Sequence, residues 1–272
     1  MEFYREVEKN LIKKNRKELW SKFMKAIKDY ELIKENDKIM ICISGGKDSF
    51  ILAKLMQELQ RHGMVKFELG FVVMNPGYKE HVLKRIVDNA KLLNIPIEVF
   101  NSDIFKVSTS LSPENPCYMC ARMRRGYLYD YAKTHGFNKI ALGHHFDDVI
   151  ETILMSVLYG GEFKTMLPKL KSTNFEGMEL IRPMYYIRER DIIIFSKNNN
   201  LEFINCACSF TENNLDGKRK EVKKLINELE KDNIYVPFNI FKSAEKVNLD
   251  TLLSYKKDGN IVDIYDDYDI MK

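Results

Sequence analysis

Residues 38–60, KIMICISGGKDSFILAKLMQELQ, pass from a short buried-strand pattern through a glycine pair into an amphipathic helix. Gly45 and Gly46 let the backbone approach a ligand closely, and the amides at the helix start favour an anion there. Lys47 adds a positive charge, and Ser44 and Ser49 add hydroxyl donors. Asp48 is the odd member, because a carboxylate beside phosphates makes sense mainly with Mg²⁺ between them. The loop is not of the GxxxxGK[ST] type. An ordinary strand–helix turn also favours Gly-Gly and Asp, so the residues alone leave both readings standing, with phosphate binding the better one.

The same alternation extends outward. KFELGFVVMN, IPIEVFN and KIALG read as strands. EHVLKRIVDNAKLLN, CYMCARMRRGYLYDYAKTHG (ended by Gly136) and DDVIETILMSVLYGG read as helices. Alternating strands and helices predict an α/β fold, a parallel twisted sheet covered by helices. The first 35 residues read as a helical arm, with Trp20, Phe23, Met24 and Ile27 at helical spacing. GMELIRPMYY predicts one more strand and ERDIIIFSKNN one more helix. GKRKEVKKLINELEKDN predicts a further helix with Val222, Leu225, Ile226 and Leu229 on one face. DGNIVDIYDDYDIMK reads as an acidic, loose tail. The expected organisation is an arm over 1–35, a core over 36–210 and a C-terminal helical extension with its tail over 211–272.

Of the 272 residues, 45% are apolar and 30% charged, which is ordinary globular material; a net charge of +4 permits a nucleic-acid partner without requiring one. The charged N-terminus has no signal-peptide core, and no apolar run reaches the roughly 20 residues of a membrane span. A cytoplasmic protein with no membrane partner is expected. In that reducing compartment five cysteines are a poor disulfide framework.

A second strand–turn–helix pattern, IALGHHFDDVIETIL (140–154), brings Gly143, His144, His145, Asp147 and Asp148 to one turn, with Glu151 one helical turn beyond Asp147. Acidic residues cap helices in any protein, and His-Asp groups also bind metals, so this turn alone is ambiguous. Both turns are expected at the carboxyl edge of one parallel sheet, where such folds bind ligands.

In ENPCYMCARMRRG, Cys117 and Cys120 are three apart on a helix predicted to start near Pro116, and Arg124 lies one turn beyond Cys120 on the same face. A helix start and nearby guanidinium groups both favour thiolates, which bind soft metals. Cys206 and Cys208 form a C-x-C pair unlike a second zinc knuckle; zinc and an iron–sulfur site are equal readings. Cys42, inside the first strand, reads as a buried small hydrophobe.

In this order, SGGKDS, PCYMCARMRRG and GHHFDD resemble the TtcA-like tRNA 2-thiocytidine synthetase family, related to the TtuA-like enzymes, all ATP pyrophosphatases with an SGGxDS loop. The likeness runs from about residue 35 to 210 and includes PGYKEHVLK, YGG and LIRPMYYIRERDI. It implies the adenine nucleotide alpha hydrolase-like fold. It implies ATP on Ser44, Gly45, Gly46, Lys47, Asp48 and Ser49, with Gly143 and His144 also at the nucleotide. It implies Mg²⁺ or a proton-handling role at Asp147 or Asp148. A [4Fe–4S] cluster would sit on three cysteines: Cys117, Cys120 and, because the second cysteine of the family's C-x-x-C is normally the ligand, Cys208. This chain has C-x-C there, which leaves Cys206 open, and it carries FTENNLDGKR where the family has a QPNLQR-like segment. The zinc knuckles of the TtuA-like branch are absent.

The implied reaction is sulfur transfer to a tRNA base, with C2 of cytidine as first choice. The base oxygen attacks the α-phosphate of ATP, sulfide displaces the adenylated oxygen, and AMP leaves. Asp48, Arg124, Asp147 and Asp148 are the candidate catalytic residues; Arg124 and Lys47 would offset developing charge. The sulfur would come from sulfide or from a cysteine desulfurase. The family implies a homodimer. Basic groups available to tRNA are Arg122, Arg125, Lys164, Lys169, Lys171 and the lysines of 218–224, which read equally well as a wet helix face. The same chemistry on another RNA base or small molecule is an alternative. So are an adenylating amine transfer of the lysidine- or NAD-synthase kind, against which the cysteines argue, and a nucleotide-binding sensor.

Overall fold

The computed structural model describes residues 2–63, 65–102, 104, 116–204 and 215–263, without the side chains of 116–122, 215 and 216. A helix α1 (Phe3–Lys9) widens into π-type turns over Asn10–Lys14 and Arg16–Trp20 and returns to regular geometry in α2 (Ser21–Asp29). Then follow β1 (Lys38–Cys42), α3 (Lys47–His62), β2 (Glu68–Asn75), α4 (Glu80–Leu92) and β3 (Ile97–Asn101). Next come α5 (Pro116–Thr134), β4 (Lys139–Ala141), α6 (Phe146–Gly160), β5 (Lys169–Lys171) and β6 (Glu179–Ile181). The chain closes with α7 (Glu189–Asn198), α8 (Leu215–Asp232), α9 (Val236–Ser243), β7 (Ser254–Lys257) and β8 (Asn260–Asp263).

The main sheet has the order β3-β2-β1-β4-β6-β5 and is parallel except for β5, which pairs antiparallel with β6 at the edge. The α/β expectation holds. Strand order reverses between β1 and β4, and a doubly wound sheet opens its ligand crevice at such a point. The loops leaving these two strands are 43–46 and 142–145, the two motifs singled out in the sequence.

Helix α3 lies between the sheet and the N-terminal helices and is buried from Ser49 to Leu59. Leu11, Leu19 and Phe23 are fully buried in the same core as Phe50, Ile51 and Leu55. At about 1.5–3 kcal/mol gross for each such side chain, the first 29 residues are held as part of this core. Burial reaches even Lys54, whose Nζ donates to Glu8 Oε1 (2.5 Å), Gln57 Oε1 (2.7 Å) and the Leu93 carbonyl (2.9 Å).

Besides the unforeseen edge strand β5, three details differ from expectation. On α8, Val222 and Ile226 are buried, but Leu225 and Leu229 are 38% and 41% exposed. The helix meets α6 along a narrow apolar seam, and charged residues complete its inward row. Residues 254–263, the last six of them inside the expected loose tail, form a β-hairpin about Asp258 (φ 51°) and Gly259 (φ 87°). Two positive φ angles in succession are what a two-residue hairpin turn requires. Helix α9 was not foreseen; its Phe241 ring stacks on Phe146 of α6 at 4.9 Å between centroids. Residues 264–272 lie outside the described residues. No described helix is long and apolar enough to cross a membrane.

Candidate active site

The glycine loop is shaped from within. Gly45 adopts φ +92°, and a Cβ there would stand 2.9 Å from Ile86 Cγ1 of α4, so this glycine serves the turn and its packing. The Ser49 hydroxyl donates to the Gly46 carbonyl (2.9 Å) and accepts from the Ser44 amide (3.2 Å), tying the loop to the first turn of α3. The hydroxyl expected to reach a ligand is therefore a staple, while the Ser44 hydroxyl stands 3.3 Å from it. Gly46, the N-cap residue, offers no side-chain cap to the first amides of α3. Such a helix start is fitted to an anion.

The second loop presses against the first. A Cβ on Gly143 would lie 3.0 Å from the Asp48 carbonyl carbon and 3.1 Å from the Ser49 amide nitrogen, so any side chain there would push the two loops apart by a few tenths of an ångström. His145 caps α6 in a reciprocal box: its amide donates to Asp148 Oδ2 (2.9 Å), and its Nδ1 accepts from the Asp148 amide (3.4 Å). With Nδ1 accepting, a neutral ring carries its proton on Nε2, which faces Asp48 Oδ1 at 3.9 Å, beyond hydrogen-bond reach. That Oδ1 is buried and has no hydrogen-bond partner. Burial raises the Asp48 carboxyl above its ordinary value, against the pull of His145 and Lys47. Burial also drives His144 down to about 4, and its Nδ1 accepts from Arg182 Nε (3.3 Å).

The acidic pair divides its work. Asp147 Oδ1 takes Arg188 Nε (2.9 Å) and Oδ2 takes the Glu189 amide (2.6 Å), so Asp147 caps α7. Asp148 turns inward; its carboxyl lies below the ordinary value, where His145, His144 and Arg219 outweigh the cost of burial.

Sequence reasoning missed a layer of ions that closes over the loops. Arg188 also grips Glu230 of α8 with two nitrogens (3.1 and 3.0 Å). Arg219 of α8 pairs with Glu151 (2.9 Å) and lies 3.5 Å from Asp148. Lys47 Nζ turns to Asp48 (3.2 Å) and to Glu189 Oε1 (3.0 Å), and Lys223 of α8 takes Glu189 Oε2. A cleft of about 430 Å³ opens beside Gly46, Lys47 and Asp48, walled by Glu189, Ile193 and Phe203. Only the place of RERDI inside the likeness, and the arginine and lysines of KRKEVKK, signalled these residues in the sequence.

Cys117 and Cys120 stand in the first two turns of α5, as expected; their side chains and that of Arg122, and all of Cys206 and Cys208, lie outside the described residues. Arg124 is partly buried and Arg125 exposed on α5. Cys42 is partly buried against the cluster of Met40, Val72 and Tyr129, and burial pushes its thiol up to about 12, in keeping with a residue at the edge of the core. Lys224 is 79% exposed, and Lys169 donates to the Glu31 carbonyl (3.1 Å).

Two strand–loop–helix corners meeting at the switch point of a parallel sheet define a nucleotide-binding α/β protein. The model of the PP-loop domain family matches residues 15–228. The chain is 40% identical over 258 residues to tRNA-cytidine(32) 2-sulfurtransferase 1 of Francisella philomiragia, spanning 93% of this chain and 97% of that one. It is 38% identical over 237 residues to tRNA-cytidine(32) 2-sulfurtransferase of Coxiella burnetii, spanning 85% and 90%. The chain belongs to the PP-loop family, on its tRNA 2-thiocytidine synthetase branch. Among solved structures, the U34-tRNA thiolase NcsA from Methanococcus maripaludis with its [4Fe–4S] cluster shares the fold, with a TM-score of 0.68, 21% identity and coverage of 89% of this chain and 78% of that one.

Proposed function

We propose that this protein is an ATP-dependent sulfurtransferase that replaces the C2 oxygen of cytidine 32 in tRNA by sulfur. The likeness to the two tRNA-cytidine(32) 2-sulfurtransferases along nearly the whole chain carries this reading. The phosphates of ATP meet the uncapped start of α3, the Ser44 hydroxyl and Lys47. The base oxygen attacks the α-phosphorus, pyrophosphate departs and an adenylated base results; Arg124 and Lys47 offset the charge that develops.

Mg²⁺ fits the residues present. The unpartnered Asp48 Oδ1, buried and facing the second loop, is an oxygen a hard cation would satisfy, and Asp148 supplies a second carboxylate. Asp147, with both oxygens engaged, serves as the clamp that holds α7. Cys117 and Cys120, one helical turn apart at the positive end of α5, suit soft-metal ligation, and Cys208 completes the donor set of a [4Fe–4S] cluster. When bound, that cluster supplies the sulfide that replaces the adenylated oxygen. The partners are tRNA and a sulfur donor, sulfide or a desulfurase product, and the assembly is a homodimer in the cytoplasm.

The test is anaerobic purification with iron and sulfide analysis, then single-turnover assays with tRNA, ATP and sulfide. AMP, pyrophosphate and 2-thiocytidine should appear together. Unchanged 2-thiocytidine in tRNA from a deletion strain, or zinc in place of iron, would overturn the reading.

A further inference from the structure

Lys47 is the one formal cation of the SGGKDS stretch, yet its ammonium is already engaged by Asp48 and by Glu189 of α7. It shares the space with Asp48, Glu189 and Lys223, two cations against two anions, so an arriving polyphosphate meets a neutral group. Glu189 gives one oxygen to each lysine, and its backbone is fixed. Asp147 holds its amide, and Asp147 and Glu230 hold Arg188 beside it. Burial works to raise the Glu189 carboxyl, but Lys223 and Lys47 overcome it and hold the pKa at about 2.

We infer that Glu189 is a placeholder anion: it occupies the Lys47 ammonium until nucleotide phosphates take it, and Lys223 neutralises Glu189 once Lys47 has left. Glu189 and Lys223 are thus positioning residues that set the affinity for ATP. Lys223, 43% exposed on α8, stays at the carboxylate while Lys47 turns. The idea rests on the reading that phosphates bind the glycine loop.

It predicts effects of opposite sign from two partners in one ion cluster, which a structural role would not produce. In calorimetric titration of the full chain with Mg²⁺–ATP in the absence of tRNA, Glu189→Gln removes the competitor and binds roughly 3- to 10-fold more tightly. Lys223→Met leaves Glu189 to grip Lys47 alone and binds roughly 3- to 10-fold more weakly. Adding Lys223→Met to Glu189→Gln has no further effect. Should Glu189→Gln fail to fold, Lys223→Met still tests the sign. Weaker binding by Glu189→Gln, or no loss with Lys223→Met, overturns the inference while ATP binding itself survives. If Lys47→Met leaves the affinity unchanged, the inference fails while nucleotide binding stands; if the parent chain binds no ATP, the nucleotide reading fails and the inference with it.

Discussion

Asp48 and Asp147 both stand in the first turn of a helix at the switch point, and their surroundings assign them opposite tasks. Asp147 has every oxygen satisfied; Asp48 has one buried oxygen with no partner. A carboxyl whose pKa is raised in the folded protein destabilises it once ionised. That cost is present above the folded pKa, is relieved as pH falls through it, and is gone below the unfolded value of about 4. Asp48→Asn therefore raises the melting temperature at pH 7 by about 1–3 °C, and the gain shrinks to nothing below about pH 4. The same variant loses ATP turnover by about 100-fold or more, since it gives up the anionic oxygen that a cation needs. Asp147→Ala does the reverse in the folded state. It strips a cap and an ion pair from α7 and lowers unfolding free energy in urea by about 2–3 kcal/mol. A fall in stability with Asp48→Asn would contradict this division. The SGGKDS and GHHFDD residues were legible because glycines, caps and short loops are local. The difference between Asp147 and Asp148 was not, because Arg188 and Arg219, which decide it, lie 41 and 71 positions further along.

At the scale of elements, periodicity was a sound guide where a helix or strand buries one apolar face, and a poor one where a charged side chain is buried. α4 and α6 are of the first kind. Lys54, with a fully buried side chain, is of the second: in the sequence it reads as the wet face of an amphipathic helix, and in the fold it anchors α1 through Glu8. Glu8 has a second partner in Arg61 (2.9 Å), whereas Lys54 has no other carboxylate among its hydrogen-bond partners. Glu8→Ala therefore strands a buried ammonium and costs about 3–5 kcal/mol. Lys54→Met leaves Glu8 paired with Arg61 and costs less than half as much. Urea unfolding of the two variants measures the ratio; equal losses would mean that Arg61 does not hold Glu8. The hairpin at 254–263 was legible and overlooked: Asp258-Gly259 between Ser-Tyr-Lys-Lys and Asn-Ile-Val-Asp is a type I′ signal, masked by the acidity of the residues that follow.

For the molecule as a whole, the lysines of KRKEVKKL had two equal readings, a wet helix face and an RNA contact, and α8 separates them one by one. Lys223 turns inward to Glu189, so it belongs to the nucleotide site. Lys224 projects away from the protein, 79% exposed, with only a 3.9 Å approach to Glu228. Phosphate contacts release counterions, so each lysine that truly meets the tRNA backbone adds nearly one to the slope of log affinity against log salt. Lys224→Gln should therefore lower the salt slope of tRNA binding by about 0.7–0.9 and weaken binding at 50 mM salt more than at 200 mM. Lys223→Gln should leave the slope unchanged while weakening ATP, because its charge is already spent on Glu189. Filter binding of unmodified tRNA at several salt concentrations reads the first effect, and nucleotide titration reads the second. If both variants moved the slope equally, the inward turn of Lys223 would not survive tRNA binding, and α8 would have to roll on its seam at Val222 and Ile226 to present both lysines to the RNA.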